Sequence, residues 1–201
     1  MSTTLATSAI LPTEHQTRTR RWTRDEYYRA YTSGLFGPEE RLELIRGEIK
    51  EKMPQRPRHA TGVRKLERAL LRFENDAYHV RSQAPITLLN DSEPEPDLVV
   101  ARGSLETFEE RHPLAEELVL VVEVSDTTLT YDRTDKARLY AEAGIAEYWV
   151  LNVAGGYLEV RRDPDEGEYH SLQTIRTGDS IAPLFSPDTP LPVADLLPRD
   201  E

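Results

Sequence analysis

No cysteine occurs in the 201 residues, which excludes disulfide scaffolds, cysteine-ligated zinc and thiol catalysis. Long hydrophobic runs are missing too. The longest unbroken stretch of large apolar residues is Leu118 to Val122, far short of the about 20 residues a membrane span needs. Hydrophobic residues make up 38% and aromatics 7%, so the core should be modest, and a carboxylate-pair glycosidase would lack its aromatic sugar cleft. Positive charge is scarce: 25 Lys and Arg against 36 Asp and Glu give −11. That balance excludes a generally basic nucleic-acid coat protein and confines any such role to a local basic patch. There is no Gly-rich phosphate loop, no Gly-x-Ser-x-Gly and no His-Glu-x-x-His, and the five histidines are scattered. The first 21 residues lack an apolar segment of the kind that directs secretion. They are expected to form a disordered tail ahead of one domain over residues 22–198, in a soluble, cytoplasmic protein.

What is present reads as a mixed α/β chain. Thr23 with Glu26 three residues on is a capping box, and Tyr27, Tyr28 and Tyr31 give the helix it opens one aromatic face, closed by Gly34. Arg41 to Met53 reads as a hairpin turning at Arg46-Gly47, with Ile49 opposite Leu44 and Lys50 opposite Glu43. A long helix is predicted over His59 to Asn75, with Val63, Leu66, Leu70 and Phe73 on one face. Arg64, Arg68 and Arg72 form a second stripe on it; six basic residues against one acid make Arg56 to Arg72 locally positive. Strands are predicted over Tyr78–Leu89, Asp97–Ala101 and Leu118–Ser125. A helix over Asp132–Ala143 with Ala137, Tyr140 and Ala141 inward comes next, then a strand over Glu147–Asn152 and hairpin strands after Gly155. Strand, helical crossover and strand make a right-handed parallel unit the default around residues 118–152.

The residues that invite chemistry are acids placed against burial logic. Glu123 interrupts the apolar run Leu118–Val124, and Asp97 heads Leu98-Val99-Val100. An unpaired polar group in such a strand costs about 2–7 kcal/mol, so each acid needs a cationic partner. Two carboxylates at the ends of adjacent strands, with the Val124 carbonyl beside them, suit a hard cation such as Mg²⁺; salt bridges to helix cations are the alternative. Lys136, one turn into the following helix, is placed to stabilise charge growing on a phosphate, or else is a surface lysine paired with Asp132 four residues back. Glu43 has Lys50 as its cross-strand ion-pair candidate, and His59 opens the basic helix.

Taken in order, these segments resemble a known family. Arg41-Leu-Glu-Leu-Ile-Arg-Gly-Glu48, His59, Glu95-Pro-Asp-Leu-Val-Val100, Leu120-Val-Val-Glu-Val-Ser125, Tyr131-Asp-Arg-Thr-Asp-Lys136 and Tyr140-Ala-Glu-Ala-Gly-Ile-Ala-Glu-Tyr-Trp-Val150 are similar to the bacterial Uma family of predicted restriction endonucleases, in the PD-(D/E)xK nuclease superfamily. The resemblance spans roughly Thr23 to Leu197. It implies a restriction-endonuclease-like α/β fold, with a mixed four-stranded central sheet flanked by helices and added antiparallel strands. It also implies Mg²⁺- or Mn²⁺-dependent hydrolysis of DNA. Asp97, Glu123 and the Val124 carbonyl would hold the ion; Glu43 and Lys136 would join Asp97 and Glu123 in catalysis, and His59 would be accessory. Arg64, Arg68 and Arg72 would contact the DNA backbone, and symmetric cutting would favour a homodimer. The superfamily pattern wants lysine two residues after the glutamate, where this chain has Ser125; the family's migrated lysine falls on Lys136. A fold that binds DNA or a protein partner without cutting stays the alternative.

Overall fold

The computed structural model describes residues 18–199, so most of the tail expected over residues 1–21 lies outside the described residues. By Trp22 the chain is already docked, its N–H donating to Gly47 O at 2.9 Å. Helix α1 (Arg24–Thr32) opens on the expected capping box at Thr23 and ends before Gly34, whose φ of +73° suits a residue without a side chain. Its aromatic face is narrower than expected. Tyr27 is buried with its hydroxyl on Leu42 O, whereas Tyr28 and Tyr31 stay exposed because α1 docks on the hairpin along one edge only.

Strands β1 (Leu42–Ile45) and β2 (Glu48–Glu51) pair in the predicted register, Leu44 with Ile49 and Glu43 with Lys50. Both turn residues, Arg46 and Gly47, have positive φ, the geometry that matches strand twist in a two-residue hairpin loop. Helix α2 (Pro57–Leu70) starts with Pro57 in its first turn and passes into a 3₁₀ turn, Leu71–Phe73.

A six-stranded sheet follows, in the order β3 (Tyr78–Ser82), β4 (Leu98–Arg102), β5 (Leu118–Ser125), β6 (Glu147–Asn152), β7 (Tyr157–Asp165), β8 (Glu168–Arg176). Only β5 and β6 run parallel; the other neighbours are antiparallel. The crossover between them carries α3 (Leu129–Tyr131), a π-helical turn (Asp132–Lys136) and α4 (Ala137–Glu142). The expected strand over Tyr78–Leu89 stops at Ser82, since Gln83 takes φ +50° and Pro85 has no N–H for a ladder; Ile86 and Thr87 bond to loops instead. Short strands β9 (Ser180–Ile181) and β10 (Leu191–Pro192) and helix α5 (Val193–Leu196) complete the chain.

Each face of the sheet buries its own apolar layer. Val63, Leu66 and Leu70 of α2 pack with Leu120, Val122 and Val124 on one side; Ala137 and Tyr140 of α4 pack with Val121, Tyr148 and Val150 on the other. Strand alternation therefore sends Glu123 to the α4 side. On the α2 side the approach is close: a methyl group on Gly62 would stand 2.9 Å from the Val124 side chain. Among the described residues no helix is long and apolar enough to cross a membrane.

Candidate active site

Where β4 begins and β5 ends, the two acids meet. The Asp97 N–H points to Glu123 Oε2 at 3.4 Å, and the Val124 N–H donates to Asp97 Oδ2 at 2.8 Å. In an extended strand the N–H and C=O of one residue face the same way, so the Val124 carbonyl also lies on the Asp97 side. Both residues are at most 6% exposed. They border a cleft of about 210 Å³ whose walls include Glu43, His59, Tyr131 and Lys136, with Lys52 and Arg56 contributing positive charge.

Lys136 reaches this cluster through the π turn. The Asp132 carboxylate is held by the hydroxyls of Ser125 and Thr128, and the Tyr148 hydroxyl donates to Asp132 O. With Asp132 so engaged, the Lys136 ammonium is buried between Glu43 Oε2 at 2.8 Å and Glu123 Oε1 at 3.4 Å. Lys136 is thus not a surface partner of Asp132. Nor does Glu43 pair with Lys50 despite their register, because Lys50 Nζ lies 3.1 Å from Glu48 and Glu43 turns inward to Lys136 and the Glu95 N–H. π turns recur at functional sites because the wider turn re-aims a side chain.

Opposed effects set the protonation of these groups. Burial pushes the Glu123 carboxyl up to about 7, against the pull of Lys136 in the other direction. Burial also works against the Lys136 charge, but Glu123 and Glu43 outweigh it and hold the ammonium above the ordinary lysine range. At Asp97 burial is outweighed by His59, whose Nε2 lies 3.1 Å from Oδ2, so the carboxyl sits below its usual value. His59 is correspondingly raised: burial lowers it, and the bond to Asp97 more than compensates.

The expected set of Glu43, His59, Asp97, Glu123, Val124 and Lys136 therefore converges on one cleft. The arginine stripe does not. Arg64 is paired with Glu67 at 2.8 Å, while Arg68 and Arg72 line a separate groove on the outer side of α2. Sequence reasoning missed Tyr140 as a polar contributor: its hydroxyl donates to Glu123 Oε1 at 2.7 Å. The signal was its position, four residues after Lys136 on the same helical face. It also missed Lys52, whose ammonium binds Glu95 O at 2.6 Å and Glu95 Oε1 at 2.9 Å and anchors the segment that leads into Asp97.

Comparison with known proteins decides the family. The model of the Uma2 family, described as "Putative restriction endonuclease", matches residues 24–194. The chain belongs to that family. Among solved structures it is similar to the crystal structure of a "putative nuclease belonging to DUF820" from Anabaena variabilis, with a TM-score of 0.67, 16% identity, and coverage of 87% of this chain and 97% of that one. At that identity the likeness establishes the fold alone, which in this chain is the six-stranded mixed sheet described above. No curated protein matches the chain.

Proposed function

We propose that this Uma2 protein is a metal-dependent endonuclease that hydrolyses DNA phosphodiester bonds. The observation that carries the reading is the junction of Asp97 and Glu123: two buried carboxylates at the start of β4 and the end of β5, Glu123 accepting from the Asp97 N–H and Asp97 from the Val124 N–H, with a buried lysine alongside. Such a buried cluster of acids with opposed shifts is characteristic of functional sites.

The donors fit a small hard cation. Asp97 and Glu123 offer carboxylate oxygens and Val124 a carbonyl, and among the described residues no group of three or more His, Asp or Glu side chains is gathered as a metal cage. Two carboxylates with the remaining places left to water and substrate oxygens match what Mg²⁺, or Mn²⁺ in its place, requires. When bound, such an ion supplies charge neutralisation at the scissile phosphate and an acidified water.

The protein groups then divide the rest of the work. Lys136, held above the ordinary lysine range by its two glutamates, stays an ammonium, so its part is electrostatic: it faces negative charge that grows on the phosphate. Glu43 orients that ammonium from the opposite side while it accepts the Glu95 N–H. Tyr140 and His59 are positioning residues for Glu123 and Asp97 respectively. Two copies would be needed to cut both strands symmetrically, and the absence of cysteine fits a cytoplasmic location.

The test is incubation of purified protein with supercoiled, linear and single-stranded DNA in Mg²⁺, Mn²⁺ or EDTA. Cleavage that needs the ion and disappears in Asp97→Asn supports the reading. DNA binding with no cleavage under any ion overturns it in favour of a binding module.

A further inference from the structure

We infer that the groove on the outer side of α2 is a track for the backbone of duplex DNA, leading away from the cleft. This rests on the nuclease reading for the identity of the polymer, and on different residues for the surface.

The groove, of about 970 Å³, is bordered by Lys65, Arg68 and Arg72 of α2 and the adjoining 3₁₀ turn, and by Arg199 from the C-terminal segment. Asp195 is the one acid among its described lining residues. In a chain with 36 acids for 25 Lys and Arg, more than half of the cations stand within ion-pair distance of a carboxylate among the described residues. Yet among the described residues Lys65, Arg68 and Arg72 have no carboxylate within ion-pair distance, whereas Arg64, one residue from Lys65, is already taken by Glu67. Three cations with no carboxylate partner among the described residues, on one helix face, form a local field that attracts a polyanion against the repulsion of the whole molecule.

Spacing suggests what kind of polyanion. Lys65, Arg68 and Arg72 stand at i, i+3 and i+7, one face of the helix over about 10 Å at 1.5 Å rise per residue. A length of about 10 Å covers the two to three axial steps of about 3.4 Å that separate three or four phosphates of one strand. The ridge is rigid, since Val63, Leu66 and Leu70 on the opposite face of α2 are buried in the sheet. It is also continuous with the cleft: Arg56 and His59 border the cleft, Pro57 borders the groove, and all three belong to the entry and first turn of α2. A strand whose scissile phosphate sits by Asp97 and Glu123 can thus run along α2, where cations replace the acids of the cleft.

The experiment measures binding of a fluorescent 20-base-pair duplex by anisotropy in EDTA across salt concentrations, with hydrolysis of bis(p-nitrophenyl) phosphate by the parent in Mn²⁺ as a separate readout of chemistry. If the three cations each neutralise one phosphate, their combined replacement by alanine should flatten the slope of log K against log salt by about 0.9 × 3, or 2.7. From 50 to 200 mM salt that is about 40-fold of the parent's loss of affinity. Arg64→Ala should leave the slope as it is. An unchanged slope in the triple variant, or a parent with no measurable duplex binding at 50 mM salt, overturns the track. Diester hydrolysis alongside an unchanged slope would sink the track and leave the nuclease reading standing; a flattened slope with no hydrolysis would do the reverse.

Discussion

Replacing Lys136 by methionine keeps the length and apolar stem of the side chain and removes only its charge. From the residue's place one turn into an amphipathic helix, substitution should be nearly silent for folding, as surface changes usually are. The structure reverses that expectation. Lys136 is 4% exposed, and its ammonium stands 2.8 Å from Glu43 and 3.4 Å from Glu123. At an effective dielectric near 20, each contact amounts to roughly 5–6 kcal/mol of gross attraction, most of which offsets the desolvation of three buried groups. Breaking a buried ion pair from one side typically costs about 3–5 kcal/mol, because the charges left behind are uncompensated. For a domain of this size that is about 6–20 °C in Tm.

The deficit should depend on pH. In the parent, burial raises the folded-state Glu123 carboxyl from its ordinary 4.5 to about 7. A group raised in this way contributes stability that is fully present below about 4.5 and is lost as pH climbs through about 7. Without Lys136 the carboxyl rises further, so the variant's shortfall should be smallest at acid pH and grow above about pH 7, by about 1.4 kcal/mol per pH unit until the raised carboxyl ionises. Urea denaturation of parent and Lys136→Met at pH 5 and pH 8 measures this. Adding Glu43→Gln to the variant should recover part of the loss, as expected for groups that interact directly. A shift below about 1 kcal/mol at pH 8, or the same shift at both pH values, would refute the buried-triad reasoning.

Four further outcomes follow from the same geometry. Asp97→Asn or Glu123→Gln should weaken Mg²⁺ or Mn²⁺ binding at least tenfold, about 1.4 kcal/mol, by calorimetry; unchanged affinity in both would remove the ion from this cleft. Because Glu123 holds a proton up to about pH 7, ion binding at pH 6 should release about one proton, and affinity should rise about tenfold per pH unit below 7 and level off above; calorimetry in two buffers of different ionisation enthalpy reads the count. Tyr140→Phe removes a hydrogen bond to a buried carboxylate worth about 1.5–3 kcal/mol, and should raise the Glu123 pKa further and shift the pH profile of ion binding upward, with metal affinity at pH 9 little changed; a profile that does not move would leave Tyr140 a packing residue. Gly62→Ala gains about 1 kcal/mol of helix propensity but drives a methyl group to 2.9 Å from Val124, so a net loss of about 1–2 kcal/mol in urea denaturation is expected, and a stabilised variant would mean that α2 moves freely off β5.

Much of this site was readable before any coordinates. Asp97 and Glu123 stood out because acids in apolar strands need a reason, and the capping box at Thr23 and the Arg46-Gly47 turn follow from local chemistry that tertiary contacts rarely override. What failed was whatever depended on long-range placement. For Lys136 an α-helical register offers Asp132 at i−4 as one of two readings, and no propensity announces the π turn that settles its partners as Glu43 and Glu123. Periodicity marks Tyr140 only as inward-facing, since a tyrosine buried for its ring and one buried for its hydroxyl share the same spacing. Ile86 and Thr87 are good strand formers and extend the expected strand past Ser82, whereas Pro85 argues against it. On α2 the four-residue spacing of Arg64, Arg68 and Arg72 drew the eye to a stripe, whereas the groove selects Lys65, because Glu67 sits within reach of Arg64.

Ser125 connects these threads. Side chains two apart on a strand share a face, so a lysine at position 125, where the superfamily pattern would put it, would project to the same side of β5 as Glu123. That side is covered by the crossover helix, from which Lys136 descends to Glu123. Two routes thus bring an ammonium to one face, from the strand itself or from the layer above it. In this chain the strand position is not vacant: the Ser125 hydroxyl donates to Asp132, the residue that opens the π turn, and so holds the segment that delivers Lys136. A serine there is short enough to leave room for the arriving lysine and polar enough to anchor its approach. The departure at position 125 and the lysine at 136 are therefore parts of one arrangement, and the missing strand lysine is no argument that the cleft has lost its cation.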